Sequence, residues 1–161
     1  MKDTSPPNDP EAEEAVLGSL LIDRDAVVKV TPILSTEDFY LRKNGSVYQA
    51  ILDLYQRHEP ADFVTVCNEL GRGDRLEQCG GRAYVTSLLN AVPTPAHALF
   101  YANIVREAAL RRRMIRTAGQ IARIAYDTSN DITSAVSSAK TLVADLDAHN
   151  PGIKITQGDK I

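Results

Sequence analysis

The sequence predicts an all-α chain, a compact head of several short helices followed by an antiparallel helical hairpin. Three observations carry that prediction. Apolar residues recur at intervals of three and four from one end of the chain to the other, the spacing of a helix face rather than a pleated strand. No turn pair sits between alternating runs: Asn44-Gly45 comes nearest, yet Val47, Ile51, Leu54 and Tyr55 behind it are helix-spaced. Helix start and stop residues also punctuate the chain at short intervals.

The first helix starts at Asp9-Pro10. An acceptor side chain at the N-cap satisfies free amides, and proline fits the first helical position because its missing N–H is not needed there. Glu11, Glu13 and Glu14 complement the positive helix end, and the helix is expected to run to Leu21 with Ala12, Val16, Leu17, Leu20 and Leu21 on its apolar face. Gly18 and Ser19 are small enough to admit a close neighbour. Short helices follow over Ala26–Val30, over Ser35–Tyr40, where Ser35 and Asp38 have capping-box spacing, and over Ser46–Arg57. Another is expected to start at Thr65 and stop before Gly71-Arg72-Gly73-Asp74. Arg72-Gly73-Asp74 spells an integrin-recognition tripeptide, but its composition is that of a turn. One more helix runs from Gly81 to Leu89, after Gly80-Gly81 has turned the chain into it, and Pro93 and Pro95 end the head.

From Pro95 to Tyr126 the pattern is that of one long helix, with a kink expected near Phe100 and Thr94 placed to cap it. Asp127-Thr128-Ser129-Asn130 is a short polar break. Ile132, Ala135, Val136, Ala139, Leu142, Val143 and Leu146 then form a stripe on a second helix. So short a connection makes the two helices antiparallel neighbours. The domain reading is a flexible arm over 1–8, a head over 9–92, a hairpin over 93–149, and a linker or truncated C-terminal end over 150–161.

Residues 101–125, YANIVREAALRRRMIRTAGQIARIA, hold six arginines against Glu107, whereas residues 1–25 hold seven acids against Lys2 and Arg24; the net charge is −3. At 100° per residue, Arg112, Arg116 and Arg123 fall within about 40° of one another, a stripe along one side. Apolar residues cover roughly 200° of the same helix, counting Leu110, Met114, Ile115, Ala118, Ile121, Ala122, Ile124 and Ala125 and, further back, Ile104 and Ala108. A surface helix needs a little over 100°. One partner helix cannot cover the excess, so another chain is expected to do so, with Ile104, Ala108, Met114, Ile115, Ala118, Ile121, Ala122 and Ala125 as the subunit interface. Burying a few hundred Å² per chain is worth about 25 cal/mol for each Å² before the costs of association are subtracted, sufficient to drive pairing and more than a solvated arginine row contributes. Ala108, Ala118, Gly119 and Ala122 would let the helices approach closely. Arg111 falls inside the apolar arc, where it must snorkel or find a carboxylate. Three readings of the arginine stripe stay open: a solvated face with Glu partners, recognition of an acidic partner protein, and contact with nucleic acid. No aromatics interleave the arginines, which weighs against the last.

Several functions are excluded by what is missing. No GxxxxGK[ST] phosphate loop exists; Gly152 and Gly158 enclose five residues, and Asp159 separates glycine from lysine. No GxSxG or HExxH segment is present. Cys67, Cys79, His58, His97 and His149 do not have zinc-ligand spacing, so two free thiols and no metal are expected. The 161 residues contain no membrane-length apolar run, and Met1–Pro10 is polar and acidic where a secretory signal has a basic start, so the cytoplasm is the expected compartment. No catalytic residue is assigned.

Read together, PPNDPEAEEAVLGSLLID (6–23), EDFY (37–40), ADFVTV (61–66), GGRAYV (80–85), VPTPA (92–96) and YANIVREAALRRRMI (101–115) occur in the order found in one family. Over residues 6–148 the chain resembles the N-terminal domain of DnaB-type replicative DNA helicases. It departs where the family commonly has a His-Arg pair and this chain has Asn44-Gly45, where the family has Asn and this chain has His97, and after Asn150, where a linker helix is not closely matched. The resemblance implies a collar domain that oligomerises, as a dimer or as a hexameric trimer of dimers, and recruits primase and a helicase loader. It places Arg112, Arg116 and Arg123 as rim contacts for primase or loader. ATP and Mg would belong to a RecA-type ATPase domain outside this sequence, and DNA would be met only through the full-length hexamer. Two alternatives differ in class: a stand-alone phage or plasmid collar mimic that captures a host helicase or primase, which a downstream Walker A motif would exclude, and a basic helical nucleic-acid binder, whose affinity would fall steeply with salt.

Overall fold

At Asp9 the side chain accepts the Ala12 amide at 3.0 Å, and behind it Pro10 opens the first helix, α1 (Pro10–Ile22), of a computed structural model that describes residues 5–148. Among the described residues all regular structure is helical. Helix α1 is buried almost all round, from Ala12 through Leu21 except Glu14, because α2 (Arg24–Val30), α3 (Arg42–Gln56) and α5 (Gly81–Asn90) pack around it. Gly18 marks the closest of these approaches, against the end of α5. Helix α2 (Arg24–Val30) is capped by Asp23, which accepts the Asp25 amide at 3.0 Å. Asp38 takes the Ser35 amide at 2.9 Å across a single 3-10 turn over Thr36–Asp38, shorter than the helix expected over Ser35–Tyr40.

Helix α3 (Arg42–Gln56) begins four residues before Ser46, where the sequence placed its start. The reason lies on another helix. Leu41, its N-cap, makes no side-chain cap. Instead the Glu13 carboxylate of α1 accepts the Tyr40 amide, the Leu41 amide at 3.4 Å and the Asn44 side-chain amide at 2.8 Å, so a group 27 to 31 residues away supplies the acceptors. Asn44, buried like Glu13, also accepts the Tyr84 hydroxyl from α5. Burial, with Glu14 and Glu13 nearby, raises the Tyr84 hydroxyl above its ordinary range and keeps it a donor. Lys43 lies over the Tyr84 ring at 3.8 Å from its centroid. Beside this network Tyr48 is fully buried, stacks against Phe39 at 4.9 Å between ring centroids and donates to the Leu34 carbonyl at 2.9 Å.

Helix α4 (Phe63–Arg72) starts two residues ahead of the predicted Thr65 because Asp62 and Thr65 cap each other: the Thr65 amide donates to Asp62 at 3.0 Å and the Asp62 amide donates to the Thr65 hydroxyl at 2.9 Å. Asp62→Ala is expected to cost about 1 kcal/mol at pH 7. The Thr65 amide, chiefly, holds the Asp62 carboxyl below its ordinary 3.8. That stabilisation is present above the ordinary carboxylate pKa and is lost as pH falls through the lower native value. Urea unfolding of both proteins from pH 7 down to about pH 3 checks this; the gap between them narrows on acidification, and a gap indifferent to pH contradicts the assignment. Arg57 ties the end of α3 to α4 through two hydrogen bonds to Glu69, at 2.6 and 3.1 Å.

Helix α4 runs through Gly71 to Arg72, two residues past the stop expected before Gly71, and the turn is made by Gly73 and Asp74, with Asp74 in the left-handed region; Gly80 (φ 97°) then turns the chain into α5 (Gly81–Asn90). Cys67 and Cys79 are free and buried, and burial raises both thiols. A 3-10 turn over Pro95–His97 then precedes α6 (Ala98–Tyr126), so the irregularity expected at Phe100 falls three residues earlier. Thr94 occupies the cap position without a side-chain cap bond.

The described residues divide into two compact units, the first reaching Ala109 and the second starting at Leu110. The head thus extends past the Pro93 boundary, because Ala98, Ala102 and Val105 on the first turns of α6 are buried in the head core with Val16, Ile51 and Leu88. The second unit contains the rest of α6 and α7 (Ile132–Ala148). His149 and the linker or end read over 150–161 lie outside the described residues, as do residues 1–4 of the N-terminal arm.

Candidate assembly and partner interface

The hairpin unit is built by its turn. Asp127 accepts the Ser129 hydroxyl at 2.5 Å and the Ser129 amide at 3.0 Å, and these bonds hold its carboxyl below the usual range. Asp131 then caps α7 by accepting the Ser134 amide at 3.3 Å, and Ser134 lowers that carboxyl likewise. Both bonds are local, so the polar quartet between two apolar patterns folds back without help from elsewhere.

Burial separates the sides of each helix. In this unit Leu110, Arg112, Arg113, Thr117, Ile121 and Ile124 are the less exposed residues of α6, all but Arg112 on one line, and on α7 they are Ala135, Ala139, Leu142 and Leu146. Each set has helix-face spacing, and Arg113, Arg116, Thr117, Gln120, Leu142, Asp145 and Leu146 line one groove of about 240 Å³, which sets the two helices side by side. The sets are therefore the mutual contact lines. A stripe of large residues remains outside them. Met114 is 54% and Ile115 57% exposed on α6; Ile132, Val136 and Val143 on α7 are 76%, 46% and 51% exposed. At 100° per residue the exposed residues of α6 lie about 110° clockwise from its contact line, viewed from its N-terminus; those of α7 lie about 70° from its own in the same sense. Because the helices are antiparallel, equal senses of rotation bring both stripes to one side of the hairpin. Arg116 and Arg123 fall about 120° the other way, on the side of the Leu142–Leu146 groove. The hairpin has an apolar face and an arginine face.

The structure distributes the expected interface residues over three environments. Met114, Ile115, Ala118, Ala122 and Ala125 are exposed on the apolar face. Ile121, expected at the centre of an intersubunit contact, is half-buried on the line toward α7, since it lies one turn beyond Thr117. Ile104 is half-buried against the head core and Ala108 is half-buried in the same unit, which takes Ile104 out of the free arc. Sequence reasoning treated the apolar residues of α7 as one stripe; Ile132, Val136 and Val143 are instead the uncovered half of it, a split the 100° spacing within α7 already contains. Of the arginine stripe, Arg112 is half-buried while Arg116 and Arg123 are exposed. Arg111 stands exposed among the apolar residues of the first face and has an interaction partner.

Among the described residues no group of three or more His, Cys, Asp or Glu is placed to hold a metal ion, and no helix is long and apolar enough to cross a membrane.

Comparison with known proteins converges on one family. Residues 5–107 match the family model described as DnaB-like helicase N terminal domain. The chain is 38% identical over 146 residues to replicative DNA helicase DnaC of Bacillus subtilis, an alignment that covers 91% of this chain and 32% of that protein. It thus spans about a third of the length of that curated relative. Among solved structures, the N-terminal domain of DnaB helicase from Mycobacterium tuberculosis is 41% identical with a TM-score of 0.84, covering 88% of this chain and 100% of that one. A DnaB-like replicative helicase described with its interactions with primase is 25% identical with a TM-score of 0.73, covering 86% of this chain and 31% of that one.

Proposed function

This chain belongs to the DnaB-like helicase N-terminal domain family, and from that membership we propose that it is the assembly and docking domain of a replicative DNA helicase, pairing with copies of itself through the apolar face of its hairpin and presenting a collar to primase and to a helicase loader. The single observation that carries the reading is the uncovered apolar face. A two-helix unit that exposes Met114, Ile115, Ile132 and Val143 together leaves a surface whose burial, at about 25 cal/mol per Å², favours association. The flanking Ala118, Ala122 and Ala125 are small enough for close helix approach. On this reading the closed form is a dimer, or a hexamer arranged as a trimer of dimers, and the chain acts by scaffolding. ATP and Mg are handled by the part of a parent helicase outside these residues, and DNA is met through the full hexamer. A relative structurally described with primase interactions supports primase as the docked partner; Arg112, Arg116 and Arg123 are proposed as its rim contacts, with the loader as the second partner of the same collar.

Sedimentation equilibrium of the purified chain tests the pairing. Ile115→Asp is expected to reduce the mass to that of a monomer while helical circular dichroism and melting temperature hold, because Ile115 is exposed and lies off the line that α6 turns toward α7. Ile121→Asp is the less clean probe, since its half-buried place on the α7-facing line also unsettles the hairpin. Arg116→Glu is expected to leave the mass unchanged. A wild-type chain that stays monomeric at high concentration ends the proposal.

A further inference from the structure

We infer that the groove between α2 and the end of α3 on the head is a binding site for a small zwitterion with an apolar side chain, an amino acid or a dipeptide. The groove measures about 360 Å³, at the lower end of the range of small-molecule sites. All of its residues belong to the head unit, so the site stands whether or not the hairpins pair. Arg24, Asp25 and Val28 line it from α2, and Tyr55, His58 and Pro60 line it from the end of α3 and the connection to α4. Buried Val27 and Ala61 form the floor.

Two observations set the chemistry of the occupant. The first is apolar: Val28 is 56% and Tyr55 41% exposed, two large side chains turned to water on different elements of one groove, so the apolar body of a ligand removes both from solvent at once. The second is charge. Among the described residues Arg24 has neither hydrogen bond nor ion pair, and the Asp25 side chain has none either. As consecutive residues of α2 they point about 100° apart. Glu59, the other acid in the groove, is taken by Arg57 at 3.2 Å. One cation and one anion are therefore open, and a ligand of a single sign satisfies one and meets the other as a like charge. A zwitterion answers both. Polyanions such as nucleotides are disfavoured, since Asp25 and Glu59 both line the groove. The α3 side is set in advance: His58 (φ 58°) donates its amide to the Tyr55 carbonyl at 3.0 Å and Glu59 donates to the Leu54 carbonyl at 2.9 Å, a left-handed cap that fixes this side before any ligand arrives.

The test titrates the full 161-residue chain with L-phenylalanine as the probe, read by saturation-transfer NMR. Two further probes each lack one charge: phenethylamine has no carboxylate and 3-phenylpropionate has no ammonium. L-Phenylalanine is expected to bind saturably in the millimolar range, and each single-charge probe roughly tenfold more weakly. Arg24→Gln is expected to remove the preference over phenethylamine and keep the preference over 3-phenylpropionate; Asp25→Asn is expected to do the reverse. Misfolding does not produce that crossover, because a lost groove loses both preferences together. Val28→Ser, at an exposed position, is expected to weaken all three probes roughly threefold. The inference is overturned by the absence of saturable L-phenylalanine binding, by equal binding of the three probes to the parent chain, or by preferences that survive both charge variants.

Discussion

Gly18→Ala is expected to destabilise the head by roughly 3 kcal/mol or more, at the upper end of overpacking costs, although alanine is the better helix former by about 1 kcal/mol at an ordinary interior position. A Cβ on Gly18 meets the Leu88 carbonyl oxygen at 2.1 Å and a Val92 methyl at 2.2 Å. The first of these is backbone, on a helix anchored by buried Val85 and Leu88, so it cannot swing aside as a side-chain tip does. Relief requires α1 and α5 to separate where the core is closed. Gly119→Ala provides the opposite sign. Nothing lies within 4 Å of the Cβ it adds, and the helix gains about 0.5–1 kcal/mol. Thermal melts of the two variants beside the parent decide it; a Gly18→Ala protein as stable as the parent means that α1 and α5 are farther apart than described.

This pair also shows what the sequence made legible. Both glycines sit inside strongly helical patterns and look alike as letters; Gly18 was read as admitting a neighbour, and so was Gly119. Only three dimensions supply Leu88 for one and leave the other open. The same holds for helix starts. Asp9-Pro10 announced its helix because the cap is made within three residues, and Asp131 caps α7 just as locally, although the sequence reading named only the polar break before it. The start of α3 escaped because its acceptor sits on α1, and α4 began early because Asp62, lying between Ala61 and Phe63, was not recognised as a cap. Family and helical class were written in local signals that occur in order along the chain. The interface residues were half legible: the arc of α6 was too wide for one partner, but which part α7 covers depends on how the two contact lines meet, and that moved Ile121 inward and brought Ile132, Val136 and Val143 out.

The start of α3 yields the other large effect. Glu13→Ala is expected to cost about 3–5 kcal/mol, the range found when one member of a buried charged network is removed. The side chain is 2% exposed, and its carboxylate is the acceptor for two backbone amides and for Asn44, which is itself fully buried. Alanine leaves those donors without partner in a space water does not freely fill, and it frees Asn44, whose other end accepts the Tyr84 hydroxyl, so the loss spreads from α1 and α3 into α5. Glu13→Gln separates shape from chemistry. Glutamine has nearly the same volume but turns a donor toward either the Tyr40 amide or the Asn44 amide, where only acceptors belong. It is therefore expected to recover less than half of the loss. Asn44→Asp worsens matters further by setting a second carboxylate against Glu13. Denaturant unfolding followed through the tyrosines reads all three, and hydrogen exchange at the Tyr40 and Leu41 amides locates the effect: protection there falls first if Glu13 caps α3 across the head, and stays at the parent level if the helix holds its own end.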